Sequence, residues 1–108
     1  MTIHEAKRIL DECLEQLPEA SLRSAFGFPC LFAAGKVFGL YDGDFIVLRF
    51  EEELVATLVA QGEGYAFAPR PNIASARSWV KIAHEHVGSP DRLRDLIYLS
   101  YRTRVGRS

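Results

Sequence analysis

The sequence predicts an α+β fold, in which an antiparallel sheet made of a meander and a returning strand is flanked by N-terminal and C-terminal helices. Three observations support this prediction. Apolar residues recur at helical spacing near both ends of the chain. Residues 30–50 alternate short apolar runs with glycine-containing turns, as the strands of a meander do. A further apolar run, which begins at Trp79, precedes the last helical pattern and is interpreted as the returning strand.

The N-terminal helix is predicted over about residues 3–17. Thr2 and Glu5 form a T-x-x-E capping box, whose hydroxyl and carboxylate can bond to free amides of the first turn. Residues 19–29 are interpreted as one further helical turn that a glycine and a proline interrupt. The helical pattern consists of apolar side chains at spacings of three and four residues, and it ends at Pro18: Ile3, Ala6, Ile9, Leu10, Cys13, Leu14 and Leu17.

The meander is predicted to contain strands at residues 30–33, 36–41 and 45–50. The last two are separated by Asp42-Gly43, and this dipeptide indicates a hairpin because tight turns of the favoured handedness need positive φ angles.

The last strand of the meander has two apolar faces. Ile46, Leu48 and Phe50 share one face, and Phe45, Val47 and Arg49 share the other. A strand with one solvated face would alternate more cleanly. We therefore expect partial exposure at Phe45 and Val47, which favours a homodimer over a monomer.

The second half of the chain is predicted to contain a short helix, an irregular loop, the returning strand and a closing helix. Residues 51–62 begin with three glutamates, which suit the positive end of a helix dipole, and end in a glycine. Residues 64–78 contain two prolines and many small residues, which indicate an irregular loop. The strand is predicted over residues 79–84. A Ser89 cap followed by Pro90 opens the closing helix.

The composition predicts one globular domain over residues 1–108. The chain is 48% hydrophobic and 25% charged, so it can bury a core and is not intrinsically disordered. Its length suffices for one core but not for two. No apolar run approaches the ~20 residues of a membrane span, and the first residues lack the apolar region of a signal peptide. These features predict a cytoplasmic protein without membrane contact.

The net charge of −1 conceals an asymmetry between the two halves. Residues 1–63 carry eleven acids and five bases, whereas residues 64–108 carry three acids and eight bases. One interpretation is that the halves interleave in the fold and neutralise one another. The other is that the second half builds a basic face.

The sequence contains no recognisable catalytic or metal-binding constellation. His84 and His86 would lie on one side of the returning strand, but a third ligand at conventional spacing is missing. Cys13 and Cys30 are predicted to be buried free thiols, since a chain without a secretory signal rarely forms disulfides. We therefore predict a protein that is not an enzyme and that binds neither a cofactor nor a metal.

Five arginines are the candidate residues for binding a partner or nucleic acid. Because Arg92 and Arg94 fall in the first turn of the closing helix, where a cation opposes the helix dipole, helix stability gives little reason for them. The pI of about 6.3 is lower than that of a dedicated nucleic-acid binder. The sequence thus predicts weak, nonspecific duplex binding. The five residues, which interleave with aromatic side chains, are Arg70, Arg77, Arg92, Arg94 and Arg102.

The segment "FGFPCLFAAGKVFGLYDGDFIVLRF" resembles the N-terminal domain of TfoX-type competence regulators. The signature consists of F-G, a short strand and a G-K-x-F-x-L block, followed by a hairpin. In this chain its residues are Phe26, Gly27, Leu31, Phe32, Gly35, Lys36, Phe38 and Leu40. The segment "RSWVKIAHEHVGSPDRLRDLIYLSYR" is similar to the aromatic strand and final helix of that family, and also to the related YjbR-like domains.

The resemblance implies a compact α+β domain in a group linked to positive regulation of DNA-uptake genes, without an established active site. We accordingly predict a non-catalytic regulatory or interaction domain that acts through protein–protein contacts. Two alternatives remain open. The first is a nucleic-acid-binding module that uses the basic C-terminal half. The second is a small-molecule-binding protein, which would need a deep pocket lined by Arg70, Arg77, Trp79 and Cys30.

Overall fold

The computed structural model describes residues 1–25, 27–67 and 77–105, with the side chain of Phe28 excepted. Within these ranges the chain forms three α-helices and six β-strands. The helices are α1 (Ile3–Gln16), α2 (Glu52–Ala60) and α3 (Pro90–Val105). The strands are β1 (Ala20–Ala25), β2 (Phe28–Ala33), β3 (Lys36–Tyr41), β4 (Ile46–Arg49), β5 (Gly64–Ala66) and β6 (Trp79–Ile82). The predicted α+β architecture with helices at both ends is confirmed.

All six strands pair antiparallel in one sheet, in the order β1-β2-β3-β4-β6-β5. Strands β1 to β4 are neighbours in sequence and in space, and they form the meander. Strand β6 returns to pair with β4, as the sequence predicted, and β5 lies outside β6. The two edges of the sheet are therefore β1 and β5.

One face of the sheet carries the main core, and we call it the helix face. Side chains from all three helices pack there against residues of β2, β3, β4 and β6. The amphipathic pattern of α1 positions its apolar stripe toward this face, and the Thr2 hydroxyl accepts a bond from the Glu5 amide as the capping box predicted. The sheet residues of this core are Leu31, Ala33, Phe38, Ile46, Leu48, Val80 and Ile82.

The other face of the sheet, which we call the opposite face, is defined by Cys30, Leu40, Val47, Tyr65 and Lys81, which pair across the strands. Val47 is 0% exposed, so the expectation that it would be partly exposed is wrong. Phe45 is half-buried. The exposure argument for a homodimer therefore fails at Val47.

The hairpin predicted at Asp42-Gly43 is confirmed. Tyr41 pairs with Ile46, and the Asp42 amide donates to the Phe45 carbonyl at 3.1 Å. Gly43 has a φ of 83°, a left-handed conformation that glycine adopts without steric cost.

Strand β1 occupies residues that the sequence analysis interpreted as a helical turn, and that interpretation is wrong. Directly after Pro18, Glu19 takes a φ of 61° and reverses the chain. Residues 20–25 then run back along β2 with continuous antiparallel pairing. The small side chains of this segment carry no clear periodicity, so tertiary pairing decides its conformation.

Two further differences lie near the returning strand. Strand β5 occupies the start of the predicted loop 64–78, of which residues 68–76 lie outside the described residues. Strand β6 ends at Ile82, and His84–His86 form a 3₁₀ helix. The terminal amine of Met1 donates to the His84 carbonyl at 3.2 Å. This contact joins residues 83 positions apart, so no local pattern reveals it.

The hydroxyl of Ser100 joins α3 to a defect in the sheet. The register of β2 and β3 shifts between Leu31 and Phe32, which leaves Phe38 without a partner on β2. The Ser100 oxygen lies 3.1 Å from the Phe38 carbonyl and 2.7 Å from the Arg49 carbonyl, and it accepts a bond from the Arg49 amide at 3.2 Å. Ser100 is 0% exposed, so water does not reach its hydroxyl and cannot replace it as a hydrogen-bond partner of these backbone groups.

We predict that Ser100→Ala lowers the free energy of unfolding by about 1–3 kcal/mol, because it leaves buried backbone groups without their partner. Urea denaturation followed by circular dichroism measures the change. Thr103→Ala is the matched control, since the Thr103 hydroxyl donates only within its own helix, to the Leu99 carbonyl at 2.8 Å. Equal effects of the two substitutions would contradict the role assigned to Ser100.

Candidate protein-binding groove on the closing helix

A shallow, open groove of about 480 Å³ lies on the outer side of α3. Four of its residues recur along α3 at spacings of three and four, so they form one stripe of the helix. The stripe faces away from the core residues Leu93, Leu96, Ile97 and Ser100. The groove residues are Leu17, Asp95, Tyr98, Leu99, Tyr101 and Arg102.

The two tyrosines of the groove are held by hydrogen bonds to the last residue of α1 and to the segment that follows it. The Tyr98 hydroxyl donates to Gln16 Oε1 at 3.2 Å, and the Tyr101 hydroxyl donates to the Pro18 carbonyl at 2.8 Å. The Tyr101 ring also packs edge-to-face on Phe38, with centroids 6.0 Å apart. A tyrosine is neutral at physiological pH, and burial raises the pKa of Tyr98 further. Fixed rings lose little conformational entropy on binding.

Charged side chains lie at the two ends of the groove. Asp95 and Arg102 are exposed and seven residues apart on α3, which corresponds to about two helical turns. Within the described part of the chain, Arg102 has no carboxylate partner within 4.0 Å. The groove thus combines an apolar, aromatic floor with one anionic and one cationic end.

Arg92 of the predicted site forms a bidentate ion pair with Glu63. Its Nε and one terminal nitrogen each donate to a different Glu63 oxygen at 2.9 Å. The Glu63 side chain is 17% exposed, and the hydrogen bond from Arg92 lowers its pKa. The pair fixes the start of α3 to the turn between α2 and β5. The reason for a cation at this position is therefore a tertiary ion pair, which helix stability alone did not reveal.

Arg94 also has structural partners. It contacts Asp91 at 2.9 Å and Glu12 of α1 at 3.5 Å. Because Arg92 is bonded to the α2–β5 turn and Arg94 to α1, the two arginines point to different sides of α3.

The other three predicted residues are distributed as follows. Arg102 lines the groove. Arg77 is exposed and precedes β6. Arg70 lies outside the described residues. The structure therefore does not bring Arg92 and Arg94 together on one face of α3.

The sequence analysis missed the rest of the groove. Its signal was present, since Asp95, Tyr98, Leu99 and Arg102 have the spacing of one helix face. The core stripe of the same helix was predicted from this spacing, with Leu93, Leu96 and Ile97, but the opposite stripe was given no role.

Two clusters of cations and aromatic rings lie on the opposite face of the sheet. The Arg23 guanidinium is 4.5 Å from the Phe32 centroid. The Lys81 ammonium is 5.1 Å from the Phe45 centroid and 5.6 Å from the Tyr65 centroid. Among the described residues no carboxylate lies within 4.0 Å of either cation. Their residues come from separate strands, so the sequence did not reveal them as neighbours.

The histidines and cysteines take structural positions. His84 Nδ1 lies 2.9 Å from the Met1 carbonyl oxygen, and Glu85 accepts a bond from the Tyr65 hydroxyl at 2.9 Å. Cys13 and Cys30 are buried thiols that form no disulfide, and burial raises the pKa of each thiol. No group of three or more histidine, cysteine or acidic side chains in the described ranges could hold a metal ion. The helices of the same ranges are too short or too polar to span a membrane.

A comparison with known families gives a match over most of the chain. The model of the TfoX N-terminal domain matches residues 12–103, which include all six strands, α2 and most of α3. A search of curated proteins gave no match.

We predict that Glu63→Gln lowers the free energy of unfolding by about 1 kcal/mol near neutral pH, a value typical of a partly exposed ion pair. Because Arg92 depresses the pKa of Glu63 below its ordinary value of 4.5, the stabilisation is present above that value and is lost as the pH falls through the lower, folded-state pKa. The difference between wild type and variant should therefore vanish in acid. Urea denaturation at several pH values measures it.

Glu53→Gln is the control for this experiment, because Glu53 is exposed and lies in the first turn of α2, at the positive end of the helix dipole. If Glu63→Gln left the pH dependence of stability unchanged, the stabilising role assigned to the Arg92–Glu63 ion pair would be contradicted.

Proposed function

We propose that this chain, which belongs to the TfoX N-terminal domain family, is a non-catalytic regulatory domain that acts through protein–protein contacts at the groove on α3. The observation that carries the proposal is the groove itself, with its fixed tyrosines, its apolar floor and its unpaired Arg102. Tyrosine and arginine are among the residues that contribute most to protein interfaces.

The shape of the groove favours a protein over a small molecule. Small-molecule sites are concave and bury most of their ligand, whereas this groove is shallow and open. It is not lined by Arg77, Trp79 or Cys30, the described residues of the pocket that a small-molecule function would have required.

The charges of the groove define the chemistry of the partner. An apolar side chain would contact Leu17, Tyr98 and Leu99 between the two charged ends. A basic residue of the partner would face Asp95, and an acidic residue would face Arg102. Complementary charges of this kind set orientation and specificity more than affinity.

We predict that a photoreactive amino acid placed at position 99 in cells forms an adduct with one protein. Leu99 is half-buried. The same amino acid at position 59 of α2 is the control, since Val59 is an apolar helix residue, 39% exposed, that does not line the groove. Mass spectrometry identifies the partner. With the purified pair, Arg102→Glu should weaken binding at least tenfold, corresponding to about 1.4 kcal/mol, and a charge reversal in the partner should restore it.

Adducts that are equally abundant at positions 59 and 99, or an adduct with nucleic acid at position 99, would contradict this proposal. Its regulatory part has a separate readout. Replacing the chromosomal gene by one that encodes the Leu99→Asp variant should change the levels of the same transcripts as deleting the gene. The Val59→Asp variant should leave these levels unchanged.

Nucleic-acid binding is the second candidate function, and the cation–aromatic clusters of the opposite face favour it. Arg23 and Lys81 supply cations without carboxylate partners, and Phe32, Phe45 and Tyr65 supply rings on which bases stack. Single strands suit such a surface better than duplex, because duplex bases are already stacked.

We predict that labelled oligothymidylate binds with a dissociation constant at or above ~1 µM at physiological salt, and duplex more weakly. Fluorescence anisotropy over a salt series should show that Lys81→Ala flattens the salt slope by about one unit. Arg92→Ala is the matched control and should leave the slope unchanged, because Glu63 already neutralises Arg92. If Arg92→Ala lowered the salt slope and Lys81→Ala did not, the result would instead favour α3 as the binding surface.

A further inference from the structure

We propose that the open edge of β1 pairs antiparallel with the same edge of a second copy of this chain, so that two sheets join across a two-fold axis. The inference goes beyond the proposed function, since it uses a strand edge and not the groove. Strand β1 is six residues long, and within the described part of the chain it pairs only with β2. Its outer backbone groups can therefore bond to another strand.

The register of β1 identifies the groups that point outward. Ser24 pairs with Pro29, and proline has no amide hydrogen to donate across that pair. Pairs in an antiparallel ladder alternate between bonded and non-bonded, so Ala20, Leu22 and Ser24 direct their backbone groups to the outside. The Ala20 amide fits this assignment, because it donates to the Leu17 carbonyl at 3.2 Å.

Strand β1 lacks the features that protect most exposed edges. Within the described residues of the strand there is no proline, and its pairing with β2 shows no bulge. Its one charged residue, Arg23, lies over the Phe32 ring, on the opposite face of the sheet and not across the edge. Leu22 is 36% exposed, and it belongs to the helix face because it pairs with the core residue Leu31.

The sequence of β1 selects one two-fold register. When Leu22 is placed opposite Leu22 of the second copy, Ala20 faces Ser24 and Ser21 faces Arg23. The two Leu22 residues exchange amide and carbonyl bonds, and each Ser24 amide donates to the Ala20 carbonyl of the other chain. A register centred on Arg23 would set two guanidinium groups opposite each other, which is unfavourable. The preferred register also places the two Leu22 side chains together on the helix face.

Disulfide trapping tests the register. In a bonded antiparallel pair the Cα atoms are about 5.5 Å apart, which a disulfide can span. Leu22→Cys should therefore form a covalent dimer under mild oxidation. Ser24→Cys is the matched control, because the two copies of position 24 would be about 14 Å apart along the strands. Cys13 and Cys30 are buried and should not contribute.

Sedimentation equilibrium tests the association itself. Leu22→Asp should raise the dimer dissociation constant at least tenfold, and Val59→Asp, which changes an equally exposed residue on α2, should not change it. Circular dichroism of both variants checks that they fold. The proposal would be overturned if the wild-type chain stayed monomeric at millimolar concentration and the Leu22→Cys variant formed no covalent dimer. The edge of β1 would then be open to a strand of another protein. Trapping at position 24 in place of position 22 would overturn the register.

Discussion

The buried hydroxyl of Ser100 joins α3 to the sheet where two of its strands stop pairing, and it acts together with the core residues of the same helix. Strands β3 and β4 stop pairing at Gly39 and Leu48, and beyond this point Ser100 supplies the partner for the backbone of Phe38 and Arg49. A side chain from a helix thus replaces one step of the ladder. Because the contact is specific in distance and direction, it sets both the depth and the rotation of α3. The groove follows from that rotation, since it exposes the stripe from Asp95 to Arg102.

The ion pairs explain why the charge asymmetry of the sequence does not become a basic face. Glu63 and Glu12 belong to the acidic half, and they pair with Arg92 and Arg94 of the basic half. These two ion pairs join the halves across α3. Among the described residues, the other bases of the second half, which are Arg77, Lys81, Arg102 and Arg104, have no carboxylate within 4.0 Å, so the neutralisation is partial.

The elements that the sequence predicted correctly are those whose signal lies in a few neighbouring residues. The capping box at Thr2, the hairpin at Asp42-Gly43 and the Ser89–Pro90 start of α3 were all placed correctly from the sequence. Strand β1 was missed because its small residues have no period, and only pairing with β2 makes it extended. The 3₁₀ helix at His84 was missed because its partner is the chain terminus. For the site, Arg102 was predicted, whereas Tyr98 and Tyr101 were not.

The contacts between α1 and α3 have a consequence for the order in which the chain folds during synthesis. Glu12 contacts Arg94, Gln16 contacts Tyr98 and Pro18 contacts Tyr101, at separations of 82, 82 and 83 residues. The contacts between α1 and α3 can therefore form only after α3 has been synthesised. Strands β1 to β4 can form hairpins earlier, with their apolar side uncovered until α3 packs on it. Contacts between residues so far apart in sequence slow folding and prolong the exposure of apolar surface. We therefore expect chaperones to bind the nascent chain.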